Sequence, residues 1–417
     1  MISSDRFGVR CWPAIPPRRT PIRWLLVLVA AVLAGCDQSA PWQRDVYVWQ
    51  RVWTPAVVDA VEQASPHVDR FRILTAQWRV GDAPVVVDLV PGREAFAGQQ
   101  LVPVVRLDGT RLAIAPKDVA AMLDEQIAMF EAAGAMVISV KIDHDAATAA
   151  VGDYADWLAR LRAELPDDLA LWITTLPDWR HSPDIAQLLN GVDAYTLQVH
   201  AVTDNGAKLM DTELALDWVQ AFDQLSRTDF YAALPNYQLR AGLDESGERV
   251  FLEGEAEVAA TAAIERSLFV APGELAEWIS RLSLNTPRSM AGLVWFRLPV
   301  AGDRNNIGLQ TLNALLNGDP LSADVRVLAS RISEDSSNFD LWVANHGPHD
   351  GGVPSHIYLP SACLSGAGVN GFDYLSRPAR LVVDHPGLLR AGKRLVVGWV
   401  RCPGMSAADF NLAFQGR

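Results

Sequence analysis

Short runs of β-branched apolar residues alternate with helical patterns along the first 300 residues. Between most runs lie segments with apolar residues three or four apart, the spacing of helices that pack on a sheet. Eight repeats of strand and helix predict a (β/α)8 TIM-like barrel over residues 45–318. The predicted strands are 46–53 (VYVWQRVW), 70–78 (RFRILTAQW), 101–109 (LVPVVRLDG), 135–143 (AMVISVKID), 169–177 (LALWITTLP), 194–202 (AYTLQVHAV), 230–238 (FYAALPNYQ) and 292–300 (GLVWFRLPV).

Two segments depart from this alternation. Residues 84–89 (PVVVDL) have a strand pattern where the second helix should lie, and no helical pattern precedes the third barrel strand. Residues 239–290 form an insertion, in which ERVFLEGE predicts a hairpin. From residue 319 the chain changes to short alternating runs between Gly, Pro, Ser and Asp, which predict a small all-β sandwich over residues 319–417.

The N-terminus has the pattern of an export signal. Five arginines and one aspartate in residues 1–23 precede the apolar run WLLVLVAAVLAG, which is too short for an ordinary spanning helix. The run ends in Leu33-Ala34-Gly35-Cys36, which resembles a bacterial lipobox and implies that Cys36 is lipidated. We therefore expect a signal peptide and lipobox over 1–36 and a linker over 37–44. A plain signal peptide or an anchoring helix is the alternative.

This leader predicts an exported protein that is lipid-anchored to the cell envelope, on the periplasmic side of the inner membrane or at the outer membrane. Of the four cysteines, Cys11 would be lost with the signal and Cys36 would carry the lipid. Cys363 and Cys402 then remain as a pair in an oxidising compartment, where we expect a disulfide rather than two buried thiols.

Net charge limits the classes of partner. The chain carries −13, which becomes −17 once residues 1–35 are removed. An acidic surface disfavours nucleic acid and anionic membranes but is compatible with neutral ligands such as sugars. The sequence has no nucleotide-binding loop, cofactor fingerprint or zinc-type spacing, so we expect no cofactor and no metal. We also expect a monomer.

The predicted fourth strand carries charges on one face. In VISVKIDHDAA, Val140 and Ile142 share one face, whereas Lys141, Asp143 and Asp145 share the other. The apolar face suits the surrounding helices, so the charged face points into the barrel. Because burial of unpaired charges is costly, these side chains should lie at the open C-terminal mouth, where barrel active sites are built.

The other strand ends supply aromatic, amide and charged side chains of the kinds that bind sugars. Aromatic rings stack on sugar rings, while amides and carboxylates bind hydroxyl groups. On strand 8 we expect Trp295 and Arg297 to face inward and Phe296 outward. Each of these residues also has a purely structural alternative. Asp145 would cap a helix, Arg106 and Arg297 would neutralise the aspartates, His200 would make an interior hydrogen bond, and the tryptophans would fill the barrel. The candidates beyond strand 4 are Trp49, Trp53, Asp178, Trp179, Gln198, His200, Asn236, Tyr237, Trp295 and Arg297, with Arg106 and Asp108 at the end of strand 3.

Several of these segments, in order along residues 44–300, resemble a bacterial family known as domain of unknown function 3142. They are VWQRVW, VKIDHDAA with YADWLARLRAELP, LWITTLPDW, TLQVH, LPNYQ and GLVWFRLP. More distantly, strand 4 is similar to that of chitinase-type glycoside hydrolases, whose proton-donating glutamate would fall at Ala147 here. The Lys-x-Asp of Lys141 and Asp143 is also similar to the nucleophile motif of α-galactosidase-type barrels.

Three hypotheses follow. The first is a membrane-anchored glycoside hydrolase-like enzyme, with Asp143 as nucleophile or base, Asp145 as acid or orienting group, and Asp178 as a further acid. In it, Trp49, Trp53, Trp179, Tyr237 and Trp295 would form sugar subsites. The second is a non-catalytic glycan-binding or envelope scaffold protein on the same barrel. The third is a divalent-metal site formed by Asp143, Asp145 and His200. A cleft that reaches free carboxylates would favour the first hypothesis, and carboxylates consumed in ion pairs the second.

Overall fold

The computed structural model describes residues 42–109, 112–201, 209–246, 248–253, 264–303, 305–384, 386–410 and 412–413. The predicted signal peptide, lipobox and most of the linker lie outside these ranges. Within them, no helix has both the length and the apolar character needed to cross a membrane.

Eight parallel strands form a closed ring, which confirms the predicted barrel. Each strand pairs with its neighbours in chain order, and β1 pairs with both β2 and β8. The strands are β1 (Gln43–Val48), β2 (Arg70–Arg79), β3 (Gln100–Asp108), β4 (Ser139–His144), β5 (Ala170–Thr175), β6 (Ala194–Gln198), β7 (Asp229–Pro235) and β8 (Met290–Phe296).

Helices follow every barrel strand except β2. Proline occupies the first turn of α1, α2 and α6, where a missing N–H costs nothing. Among the described residues between β2 and β3 there is no α-helix. A short strand, Val85–Val86, lies where the sequence predicts one, and it pairs antiparallel with β2. The helices are α1 (Pro55–Ala64), α2 (Pro116–Ala132), α3 (Val151–Arg162), α4 (Ile185–Asn190), α5 (Thr212–Leu225), α6 (Pro272–Ser283) and α7 (Leu309–Asn317).

The insertion after β7 is a three-stranded antiparallel sheet followed by α6. Its central strand, Leu239–Leu243, pairs with Arg249–Glu253 on one side and Ile264–Leu268 on the other. The segment predicted as a hairpin, ERVFLEGE, instead supplies a single strand, which forms a hairpin with the preceding strand Leu239–Leu243.

A buried ion network fills the middle of the barrel. The Asp45 carboxylate accepts hydrogen bonds from Arg70 Nε at 3.0 Å and from Arg72 Nε at 2.8 Å. Lys141 Nζ donates to Ile173 O at 2.9 Å and to Thr196 Oγ1 at 2.5 Å. Burial, reinforced by the charge of Arg72, lowers the pKa of Lys141 well below its ordinary value. The interior therefore holds one carboxylate against two guanidinium groups and one amine.

The C-terminal region consists of small antiparallel sheets around one core. A five-stranded sheet contains Val325–Arg331, Asn338–Asn345, Ser365–Gly368, Arg394–Arg401 and Leu412–Ala413. A three-stranded sheet contains His356–Tyr358, Asp373–Ser376 and Ala379–Val382, and Gly351–Gly352 pairs with Leu388–Leu389. The predicted Cys363–Cys402 disulfide is present and closes a separation of 39 residues. A loop of that length corresponds to about 4 kcal/mol of stabilisation in the chain-entropy account.

The C-terminal region also holds the loop between β8 and α7. The buried Asp350 carboxylate accepts hydrogen bonds from the backbone N–H groups of Gly308 and Ala391. Gly308 is the N-cap of α7, so Asp350 satisfies a free donor at the start of that helix. Arg390 donates to the Asp303 carbonyl in the same loop. This loop leads directly from the barrel mouth.

Candidate functional site

A cavity of about 280 Å³ opens at the C-terminal end of the barrel strands. This is the end at which barrel enzymes and binding proteins place their sites. It is lined by Tyr47, Trp49, Arg51, Gln77, Arg106, Asp108, Asp143, Thr174, Thr196, Gln198, His200, Ala233, Tyr237 and Phe296.

Aromatic rings from β1, β7 and β8 form one wall of the cavity. Trp49 lies edge-to-face with Phe296 at 5.2 Å and with Tyr47 at 5.6 Å between ring centroids. Tyr237, two residues beyond β7, contacts Phe296 at 5.7 Å. Because β7, β8 and β1 are neighbours in the ring, these side chains make one continuous aromatic wall.

Three carboxylates share one guanidinium on the opposite wall. Arg106 donates from Nε to Asp108 at 3.0 Å, and from its two terminal nitrogens to Asp143 at 2.7 Å and Asp145 at 2.6 Å. Burial opposes the charge on Arg106, but Asp143 and Asp145 outweigh it and raise its pKa. Gln77 Nε2 also donates to Asp108 at 2.5 Å. The group carries three negative charges against one positive charge.

Strand register explains this grouping. Gln77 on β2 is paired with Arg106 on β3, which is paired with Asp143 on β4. Paired residues on adjacent parallel strands point to the same face, so the three side chains form one row across the mouth.

Burial raises the pKa of Asp108, but bonds from Gln77 and Arg106 outweigh it, so the net pKa is lowered.

His200 supplies a neutral imidazole to the cavity. Its Nδ1 lies 3.0 Å from the Ala233 carbonyl oxygen, which only accepts, so Nδ1 carries the proton and Nε2 is an acceptor. Burial lowers the pKa of His200 to about 4, against the opposing effect of the Ala233 bond. The ring is therefore uncharged at neutral pH.

Seven of the predicted site residues line this cavity, namely Trp49, Arg106, Asp108, Asp143, Gln198, His200 and Tyr237. Asp145 lies at its edge, with 44% of its side chain exposed and bound to Arg106. Asn236 is buried beside the cavity, where its amide donates to the Arg297 carbonyl at 2.7 Å. Arg297 in turn lies 3.7 Å from Asp303.

Other predicted site residues lie elsewhere. Lys141 points inward as predicted but lies below the mouth, bound to Thr196. Trp53 packs against Phe96 between the barrel and its outer shell. Trp179 is buried, and its indole N–H donates to Ala146 O at 2.9 Å. Asp178 is exposed on the turn Pro177–His181 and does not line the cavity.

Strand 8 has the opposite orientation to the one predicted. Phe296 lines the cavity, so the adjacent Trp295 must point to the other face. Trp295 is paired with Val46, the neighbour of the cavity-lining Tyr47, and shares its outward face. Phe296, which was predicted to face outward, is therefore a lining residue. Gln77 and Thr174 also line the cavity without having been predicted, and both are polar residues near the ends of predicted strands.

The metal hypothesis finds no support in the side-chain arrangement. Among the residues that the structure describes, no three His, Cys, Asp or Glu side chains are grouped so as to hold a metal ion. Asp143 and Asp145 instead contact the Arg106 cation.

The fold and cavity define a (β/α)8 barrel protein with a mixed aromatic and polar pocket at its mouth. Residues 97–301 match the family "Domain of unknown function (DUF3142)", which bears out the resemblance over that range. Residues 328–403 match "Domain of unknown function (DUF8456)". No curated protein matches the chain in sequence.

Similar solved structures include enzymes and a lectin. The Bacillus cereus spore cortex-lytic enzyme SleL is 11% identical, with 67% of this chain and 75% of that chain covered and a TM-score of 0.45. The chitinase from Chromobacterium violaceum is 11% identical, with 66% and 98% covered and a TM-score of 0.44. The tamarind chitinase-like lectin is 10% identical, with 67% and 100% covered and a TM-score of 0.42. These likenesses concern the fold alone.

Proposed function

We propose that this protein binds a carbohydrate in the barrel mouth without hydrolysing it. One observation carries the proposal: the cavity has an aromatic wall from β7, β8 and β1 and a polar wall from β2 to β6. A sugar ring has apolar faces that pack on aromatic rings and an edge of hydroxyl groups that needs polar partners. The two walls match these two requirements.

The size of the cavity suits a small ligand. Its volume of about 280 Å³ is close to the lower end, about 300 Å³, of small-molecule pockets. We infer that one sugar unit enters the barrel and that any further units lie across the rim.

The carboxylates support binding rather than hydrolysis. Glycosidases commonly use a protonated acid of raised pKa and a second carboxylate. Among the described lining residues the carboxylates are Asp108 and Asp143, both bound to Arg106, and the pKa of Asp108 is lowered. The position of the chitinase-type proton donor is Ala147.

One observation keeps hydrolysis as a second candidate. The cavity reaches Asp143, whose Oδ2 accepts from Arg106, whereas its Oδ1 has no partner among the described residues. A carboxylate oxygen facing a ligand cavity is the group that a nucleophile or base would need. Both candidates place Asp143 against the ligand and differ in whether a bond is cleaved.

The N-terminal sequence supports a location for this activity. Its basic segment, apolar run and Cys36 fit export and lipid anchoring, so the cavity would meet glycans of the envelope or its surroundings.

A binding screen with the full chain in detergent tests the proposal. Wild type, Trp49→Ala, Asp143→Asn and the control Asp178→Asn are compared on a glycan array and by titration calorimetry. We expect at least one glycan to bind wild type and Asp178→Asn equally, and the other two variants at least about tenfold more weakly. Absence of binding to every glycan, or binding that survives both cavity substitutions, contradicts the proposal.

The same glycans distinguish binding from hydrolysis. A reducing-end assay on wild type should show no product release above a blank without protein. Release of product that is lost in Asp143→Asn would establish the hydrolase instead.

A further inference from the structure

Three acceptor atoms and one hydroxyl of the polar wall have no hydrogen-bond partner among the described residues; the hydroxyl is that of Thr174. Asp143 Oδ1 has no partner among the described residues, and His200 Nε2 is the unprotonated ring nitrogen. Gln198 donates from Nε2 to His200 O at 3.0 Å, which turns its Oε1 into a third acceptor. All three residues line the cavity and come from β4, β6 and the segment after β6.

The nitrogen donors beside these acceptors already bond to groups of the protein. Arg106 uses a hydrogen on each of its three nitrogens for Asp108, Asp143 and Asp145. Gln77 Nε2 donates to Asp108, and Arg51 Nε donates to Gln77 Oε1 at 3.1 Å. The acceptors of Asp143, Gln198 and His200 therefore need donors from a ligand.

The charge of this wall points the same way. The Arg106 group has three carboxylates and one guanidinium, an excess of two negative charges. The neighbouring His200 is neutral. Two exposed cations act on the Asp108 end of this group: Arg51 bonds to Gln77, the partner of Asp108, and the charge of Arg79 lowers the Asp108 pKa. A cationic donor next to Asp143 would reduce the excess, whereas an additional carboxylate would increase it.

We propose that the ligand of this cavity is an amino sugar with a free ammonium group, which donates to Asp143 and to the acceptors of Gln198 and His200. The proposal rests on the carbohydrate-binding function and names its ligand class. Ammonium supplies three donors and no acceptor, and its charge matches the acidic wall. An N-acetylated amine has one donor and a carbonyl acceptor, so it fits this wall less well.

Matched monosaccharides test the ligand class on the unmodified full chain. Titration calorimetry at pH 6.5 and 150 mM NaCl compares glucosamine, glucose, N-acetylglucosamine and glucuronate, together with galactosamine, galactose and N-acetylgalactosamine. Within at least one series, we expect the free amine to bind about tenfold more tightly than the neutral and N-acetylated sugars. Glucuronate should be the weakest ligand.

The outcomes separate this inference from the function on which it rests. If neutral or N-acetylated sugars bind as tightly as the amines, the amino-sugar inference is wrong while carbohydrate binding stands. If no sugar in either series or on the array binds, the proposed function itself fails. Methylamine is the control for a cation alone; if it competes as well as the amino sugar does, the sugar ring contributes nothing and the inference fails.

Two matched variants locate the ammonium contact. Asp143→Asn and Asp145→Asn each remove one carboxylate from Arg106, but only Asp143 lines the cavity. We expect Asp143→Asn to remove the preference for amine over neutral sugar and Asp145→Asn to change it less than about threefold. Equal effects of the two would show that overall charge, and not contact with Asp143, sets the preference.

Discussion

The interior and the mouth of this barrel hold charge clusters of opposite composition. In the interior, the Asp45 carboxylate faces Arg70 and Arg72, with Lys141 nearby. At the mouth, the Arg106 guanidinium faces three carboxylates. Both clusters have unbalanced charge, but only the mouth is open to solvent and to ligands.

The difference shows that burial determines whether an unbalanced charge shifts a pKa or remains available to bind a ligand. In the interior, burial and the charge of Arg72 disfavour a third cation, so the pKa of Lys141 falls well below its ordinary value. At the mouth, solvent and a cationic ligand can balance the negative surplus. The interior cluster therefore contributes to stability, whereas the mouth cluster is available for binding.

The largest effect should come from breaking the interior cluster at its single carboxylate. Asp45→Asn leaves Arg70 and Arg72 buried without their counter-charge, so we expect a loss of about 3–5 kcal/mol in the free energy of unfolding. Urea unfolding measures this loss. Asp69→Asn, which breaks the half-exposed pair with Arg44, is the control and should cost less than about 1 kcal/mol. Similar losses in the two variants would remove the distinction between buried and exposed clusters.

His200 tests whether burial shifts the pKa of a group at the mouth as it does that of Lys141 in the interior. Its folded pKa of about 4 lies below the ordinary value of 6.5, so the unfolded chain binds the extra proton first as pH falls. Its stabilising contribution is present above pH 6.5 and is lost as the pH falls towards 4, by about 3 kcal/mol in total. His200→Gln should flatten this part of the stability–pH curve. An unchanged curve would contradict the burial of a neutral ring.

Lys141 gives a pH effect in a higher range. Because its folded pKa is lowered, the unfolded chain holds more protons between that pKa and 10.5, and wild type gains stability as pH rises through this window. Lys141→Met has no such proton to lose. We expect the free energy of unfolding of Lys141→Met, relative to that of wild type, to fall as pH rises from 6 to 10 in urea unfolding. A constant difference would show that the amine stays charged.

The smallest effect should come from the exposed member of the mouth cluster. Asp145 is 44% exposed at its side chain, and Asp108 and Asp143 still bind Arg106 when it is lost. Asp145→Asn should change the free energy of unfolding by less than about 1 kcal/mol in thermal or urea unfolding. A loss as large as that of Asp45→Asn would mean that the mouth cluster is structural.

The sequence predicted faces well where the two faces of a strand differ chemically. On β4, apolar Val140 and Ile142 alternate with Lys141 and Asp143, and the structure has the same orientation. On β8, Trp295 and Phe296 are both large and aromatic, so alternation alone gave no reliable choice. Register with β1 decides it, and register is a property of the assembled ring.

The alternation of apolar and polar residues also did not predict how deep a side chain lies in the barrel, or where the side chains that follow a strand point. Lys141 and Asp143 share a face, yet one is buried under Thr196 and the other reaches the cavity. Trp53 and Trp179 lie after the ends of β1 and β5, where the two-residue period no longer applies, and their directions depend on packing against the outer shell.

Asp350 and Arg390 of the C-terminal region hold the β8–α7 loop, so the barrel should depend on that region when the two are separated. A shortened protein ending near residue 318 would keep all eight barrel strands but lose both side chains that hold this loop. The first turn of its last helix would then lack an acceptor, and the rim next to Phe296 would lose its support. The barrel and the C-terminal region should therefore be produced as one chain, because the C-terminal region stabilises the loop at the barrel mouth.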